Sequence, residues 1–249
     1  MSTLTLVVFL VGSLLTSVLS AVTGMGGGIL LLSLMTFFLP LGTLIPLHAV
    51  NQLSSNSIRC FLLRKNVRAW IYLPALAGSL IGVVFSFLFL KKVDGRQIAY
   101  LIISLFIFYS LFKPKKLPSI TLKKKGFFIL GLVCGFLGPL VGAVGPMIAP
   151  FFLRSDLKKE EVVANKSCIQ LTIHFLKIPT YYSLGFPFGE YKFEMLALAV
   201  FAFLGTKLGV KILKHIPSHI FGILFRVALF AAGSRLLYKS ALSLGIFGP

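Results

Sequence analysis

The sequence predicts an all-α integral membrane protein made of two inverted-topology repeats of about five hydrophobic segments each, with broken or re-entrant helices at the repeat interface. Three observations carry this reading. The 249 residues are 57% hydrophobic and only 12% charged, with a mean hydropathy of +0.96, whereas a soluble domain carries roughly 25% charged residues. Long apolar runs follow one another along nearly the whole chain. Short blocks of the first half also return, in the same order, in the second.

A spanning helix needs about 20 mostly apolar residues. The long apolar runs are Leu4–Ala21, Ile29–Leu41, Ala69–Leu90, Ile98–Phe112, Phe127–Leu153, Met195–Thr206 and Ile216–Leu237, uncharged except for Arg226 and Arg235 in the last. The first has no basic region before it and runs into glycines, so a retained helix is expected there in preference to a cleaved signal peptide. A second segment opens at those glycines, a polar-flecked third follows, and the fourth and fifth are uniformly apolar.

The repeat rests on four matches. Thr23–Leu30 lies onto Val141–Ile148, both ending one apolar segment and opening the next. His48–Gln52 corresponds to Val162–Lys166, pairing Asn51 with Asn165 and Asn56 with Gln170. Gly78–Val83 matches Gly205–Val210, and Leu90–Val93 matches Leu213–Ile216. Five segments per half is odd, so the second half enters the membrane the other way round. This divides the chain into a first repeat at 1–112, a basic linker at 113–125 and a second repeat at 126–249.

Loop charge tests the inversion independently. The net charge is +19, yet the 25 Lys and Arg lie mostly in short gaps between apolar runs, as expected where cytoplasmic positive charge sets topology. With no basic face apart from those loops, nucleic-acid binding is set aside. The gap after the third segment is basic in the first half (Arg64, Lys65, Arg68) and uncharged at Ser183–Gly189 in the second. Placing the first gap in the cytoplasm puts there the linker lysines and the Arg154–Lys159 loop. Leu41–Pro46 and both termini are then outside; Lys91, Lys92 and Arg96 disagree.

Glycine inside a helix costs about 1 kcal/mol relative to alanine. Gly24, Gly26, Gly27 and Gly28, around Met25, should therefore break the first helix. Gly138, Pro139, Gly142, Gly145, Pro146 and Pro150 should do the same in the second half. Broken backbone at membrane depth must be buried or line a wet cavity. A helix N-terminus there turns unpaired N–H groups toward whatever fills that cavity. Two such breaks related by inversion suggest an anion site between the halves. The plainer reading is close helix packing on small residues, and it is the favoured one for Gly78, Gly82, Gly205 and Gly209.

The third segments add side chains. Asn51, Ser55 and Arg59 fall at steps of four, as do Lys166, Gln170 and His174, so each set shares one helix face. With Gln52, Asn56 and Asn165 they are the candidate anion ligands: Arg59 or Lys166 would offset charge, while amides and hydroxyls donate to oxygens. The competing readings are snorkelling for Arg59 and Lys166, and ligand-free interhelical bonding for the amides. His174 is the candidate for proton coupling, His48 sitting near a segment end and His215 and His219 looking interfacial. Arg226 lies within an apolar run with no carboxylate in the same segment.

Cys60, Cys134 and Cys168 lie in apolar stretches without metal-ligand spacing and read as buried small residues. Enzyme motifs are absent: there is no G-x-S-x-G elbow, zinc helix or phosphate loop, and the six acids do not form pairs within the membrane segments. No cofactor or metal is expected, and the expected partners are a small anion, a lipid bilayer and a coupling ion such as a proton or sodium.

The run Ala21–Ile29, the Asn–Gln pair in the third segment and the degenerate second copy at Gly138–Pro150 resemble the sulfite exporter TauE/SafE family over essentially the full chain. The resemblance implies a transporter in the plasma membrane that carries sulfur-containing oxyanions such as sulfite, sulfonates or sulfoacetate. Export driven by an ion gradient is implied too. Ala143–Pro146 departs from that pattern, because a second glycine cluster as dense as the first is expected there. An anion channel, or an assembly or insertion factor without flux, are the alternatives.

Overall fold

The computed structural model describes residues 1–23, 26–92, 121–152, 156–157 and 159–212, with single helical positions between 101 and 112 and between 230 and 241. Every element among them is helical. The helices are α1 (Thr3–Thr23), α2 (Gly27–Met35), α3 (Leu41–Leu62), α4 (Ala69–Lys92), α5 (Lys124–Val141), α6 (Gly145–Ile148), α7 (Lys159–Ser183) and α8 (Lys192–Ile212). Short 3-10 turns fill Arg64–Asn66, Ala149–Phe152 and Phe188–Tyr191. By length and composition, Thr3–Ala21, Ala69–Lys92 and Lys124–Val141 can each cross a membrane. Their outward-facing side chains are large and apolar, including Leu4, Leu15, Leu73, Phe85 and Ile129, as lipid contact requires.

The second segment is no crossing. With 9 residues, α2 is only about 14 Å long at 1.5 Å per residue. It folds back antiparallel on α1, so that a Cβ on Gly27 would overlap the Thr16 carbonyl and one on Gly12 the Leu34 side chain. In the second half α6 is a single turn followed by a 3-10 turn.

In the first half α1 ends at Thr23 and α2 opens at Gly27 behind Gly26, which has φ 94°. The second break falls later than the Gly138–Pro139 pair suggested. α5 runs on through Pro139 to Val141, and Gly142 closes it at φ 79° with its N–H donating to the Gly138 carbonyl. Both turning points need the left-handed region, where a side chain is strained. Leu41–Pro46, expected as an outer loop, instead forms the first turns of α3 behind extended Pro40.

Helix partners are shared out evenly between the halves. α4 packs most extensively on α5, and α1 on α8; α3 lies between α7 and α8, and α7 also meets α4. Glycine makes the two tightest seams. Cβ atoms on Gly78 and Gly82 would overlap the Phe128 and Leu132 carbonyls of α5, and Gly131 and Gly135 likewise face Ala75 and Ser79 of α4. On the other side Gly205 and Gly209 lie on the Leu14 and Val18 carbonyls of α1. These four-residue spacings therefore serve packing, as small residues do between membrane helices.

The core runs between these pairs and includes Ile29, Leu32, Leu44, Ile45, Val141, Val144, Ile148, Ile169 and Ile173. Cys60 and Cys168 do not stand as separate buried thiols: they form a disulfide joining α3 to α7, with Cα atoms 5.5 Å apart. That spacing suits the bond, and arises because the two third segments pack on one another. Cys134 is free and buried.

Candidate functional site

Two breaks, one per half, face each other across the α3–α7 pair. Between them lies an enclosed cavity lined by Ser20, Gly26, Gly28, Ile29, His48, Gln52, Arg59, Ala143, Gly145, Gln170 and His174. Its volume is about 10 Å³, on the order of one water. In this conformation it leaves no space of oxyanion size.

Each half contributes in the same way. Gln52 of α3 lies against Gly28, where a Cβ would come within 3.0 Å of its Oε1; Gln170 of α7 lies 3.6 Å from the Cβ position of Gly145. Arg59 donates from Nη1 to the Ser20 carbonyl at 3.3 Å, near the end of α1. Lys177 donates from Nζ to the Gly142 carbonyl at the end of α5. A cation therefore meets the carbonyl-rich, negative end of the first helix in both halves. Gly27 and Gly145, Gln52 and Gln170, and Arg59 and Lys177 are each 118 residues apart. The third-segment register drawn from Asn51 and Asn165 is 114, one helical turn short of this.

Arg59 is 4% exposed and does not snorkel. It also donates to Ser55 O at 3.3 Å and Asn56 Oδ1 at 3.0 Å, so Asn56 aims the guanidinium. Asn56 in turn donates to Gln52 O at 2.8 Å. His48 and His174 meet edge-on with ring centroids 5.6 Å apart. His48 Nε2 donates to Gly28 O at 2.7 Å, and its Nδ1 is buried without a partner. Lys177 Nζ stands 3.4 Å from His174 Nδ1, which leaves Nε2 of that ring as the donor. Among the described residues no carboxylate contacts these four basic side chains.

The remaining candidates lie elsewhere. Asn51 donates to Ser13 Oγ and to Leu198 O, and Ser55 meets Thr206 at 2.9 Å. These are interhelical bonds to α1 and α8. The face of α3 turned to the cavity is therefore His48, Gln52 and Arg59, not Asn51, Ser55 and Arg59. Asn165 accepts from the Arg68 N–H at 2.9 Å and donates to Asn66 O and Glu161 O, so it ties the turn before α4 to α7 beside the Arg68–Glu161 ion pair. Lys166 is 2% exposed and lies outside the cavity lining. Gly27 packs on α1, and Gly142 supplies the turn and the carbonyl that holds Lys177. Pro146 follows Gly145 in α6. Gly24, Met25, His215, His219 and Arg226 lie outside the described residues.

Sequence reasoning missed Lys177 and passed over His48. The signal for Lys177 was present: it continues the stripe Gln170, His174, Lys177 at helical spacing, and a charge within an apolar helix calls for a partner. His48 lies in the third turn of α3 because the helix begins at Leu41, seven residues earlier.

No curated protein and no solved structure matches this chain. A family model does, the sulfite exporter TauE/SafE, over residues 8–236. That span takes in both breaks, both third helices and every residue lining the cavity. The chain belongs to the sulfite exporter TauE/SafE family of membrane transporters.

Proposed function

We propose that this protein carries small sulfur-containing oxyanions, sulfite foremost, across the plasma membrane by alternating access at the closed cavity between its halves. The observation that carries the reading is the cavity itself, lined by Arg59, His48 and His174 with Lys177 directly behind His174, and with no carboxylate on these four among the described residues. Buried charge is expensive unless paired. An anion supplies the pairing, with Gln52, Gln170 and the backbone of Gly26–Gly28 donating to its oxygens. Oxyanions of sulfur suit such a ring of donors.

The halves are proposed as inverted repeats, 1–112 and 126–249 about the linker 113–125. In support, exchanging them converts the α1–α8 seam into α5–α4 and the α3–α8 contact into α7–α4, while α3–α7 maps onto itself. The separation of 118 residues shared by Gly27 and Gly145, Gln52 and Gln170, and Arg59 and Lys177 supports the same exchange. A cytoplasmic linker with both termini outside is proposed on the balance of positive loops, against Lys91, Lys92 and Arg96. His174, beside His48 and Lys177, is proposed to carry the coupling proton. The unpartnered His48 Nδ1 becomes a donor on protonation, which fits a proton travelling with the anion.

The test is uptake of radiolabelled sulfite into proteoliposomes by wild type, Gln52→Ala and Gln170→Ala. Saturable flux, with KM raised in both variants, is the expected result. Non-saturating flux with single-channel currents would replace the transporter by a channel, and absence of flux for every sulfur anion would sink the reading.

A further inference from the structure

Arg59 and Lys177 occupy equivalent places, one in each half, 118 residues apart. Both are buried in the protein interior, at 4% and 0% exposure. Each lies on a third helix and donates to a carbonyl near the end of its own half's first helix, Ser20 O for Arg59 and Gly142 O for Lys177. Arg59 reaches the cavity wall directly. Lys177 stands one layer behind, touching Gly142 beside the lining residue Ala143 and His174 in the lining itself. The carbonyls offer lone pairs and partial charge, not a formal negative charge.

We infer that the site selects doubly charged oxyanions over singly charged ones, with Arg59 and Lys177 each balancing one unit of the bound charge. This rests on the transport reading above and adds to it the charge of the substrate. Three features lead there. The two cations come as a matched pair, so one negative charge would leave the other half's cation uncompensated. The side chains against His174 are themselves basic, Lys177 Nζ at 3.4 Å from its Nδ1 and the His48 ring with its centroid at 5.6 Å. The neutral ligands Gln52 and Gln170 add donors on both sides without adding charge. In a low-dielectric interior a second unit charge several ångströms away weighs far more than it would in water, so the headgroup's charge decides binding more than its shape does.

The two probes should share a headgroup and differ in charge at any working pH. Sulfate and methanesulfonate do so. Their competition against radiolabelled sulfite flux is measured at one pH and one ionic strength, and their binding to the purified full-length protein by calorimetry. Sulfate is expected to compete at least tenfold better than methanesulfonate in wild type. Lys177→Gln keeps a donor for Gly142 O and removes the charge, and Arg59→Gln does the same for its half; each should shrink that ratio several-fold. Lys177→Arg and Arg59→Lys should retain it, which separates lost charge from lost packing, and monodispersity in size exclusion checks that the variants fold.

Equal competition by the two probes in wild type, or a ratio unchanged in both glutamine variants, overturns the inference while leaving sulfite transport standing. A calorimetric preference for sulfate without any sulfite flux leaves the inference standing and overturns the transport reading. Binding of neither probe overturns the inference, and it overturns the transport reading too only where sulfite flux is also absent.

Discussion

Neighbouring residues of α3 have been given opposite jobs by one step of helical phase. Asn51 points to α1 and α8, where it donates to Ser13 and Leu198; Gln52 points to the cavity over Gly28. Removing the Asn51 amide leaves a buried carbonyl and hydroxyl short of a donor, a loss of about 1–3 kcal/mol. Asn51→Ala is therefore expected to lower the detergent-solution melting temperature and, because Gln52 Nε2 donates to Asn51 Oδ1 at 3.2 Å, to weaken sulfite binding less than Gln52→Ala does. Gln52→Ala should weaken binding more, with little change in melting. A calorimetric titration beside a thermal scan of both variants decides it, and loss of affinity in Asn51→Ala alone would return that residue to the site. The sequence showed both amides as polar groups in one apolar segment. It did not show which side was the cavity, because α3 is polar on two faces, and only the positions of α1 and α8 distinguish them.

Among the elements, the glycine seams and the breaks were legible for different reasons. Gly78 with Gly82 and Gly205 with Gly209 carry the four-residue spacing of close helix contact, and the structure places them on the α5 and α1 backbones. Gly26 and Gly142 both adopt positive φ, so the dense glycine run and its sparser copy each mark a real reversal. The exact point of the second was not legible, since Pro139 sits in the last turn of α5 without ending it, its carbonyl taking a hydrogen bond from the Tyr181 hydroxyl at 2.9 Å. At the α4–α5 seam Gly82→Val drives a side chain into the Leu132 carbonyl. Overpacking of this kind typically costs about 1–3 kcal/mol. The control is Gly42→Ala in α3, which meets nothing within 4 Å; it should be neutral or stabilise by up to about 1 kcal/mol. Thermal scans of the two variants side by side test the seam, and equal melting temperatures would mean that α4 and α5 separate without cost.

At the scale of the molecule the halves meet along α4–α5, α1–α8 and α3–α7, and the last of these contacts is covalent at Cys60 and Cys168. The pair was invisible to spacing because the cysteines are 108 residues apart and match no position in each other's half. A bond there constrains the alternation of access proposed above. α3 and α7 must move together, so any rocking takes place between this joined pair and the two outer seams, α1–α8 and α4–α5. A protease site inserted between residues 113 and 120 separates the polypeptide into its two halves after folding. On a non-reducing gel the cut protein is expected to run as one species of full-length mass, and to fall into two fragments on reduction; Cys60→Ser should give two fragments under both conditions. If the oxidised, cut protein still carries sulfite at the wild-type rate, transport proceeds with α3 and α7 tied. If flux appears only after reduction or in Cys60→Ser, the moving boundary runs between α3 and α7 themselves, and the disulfide holds the cavity in the closed form seen here.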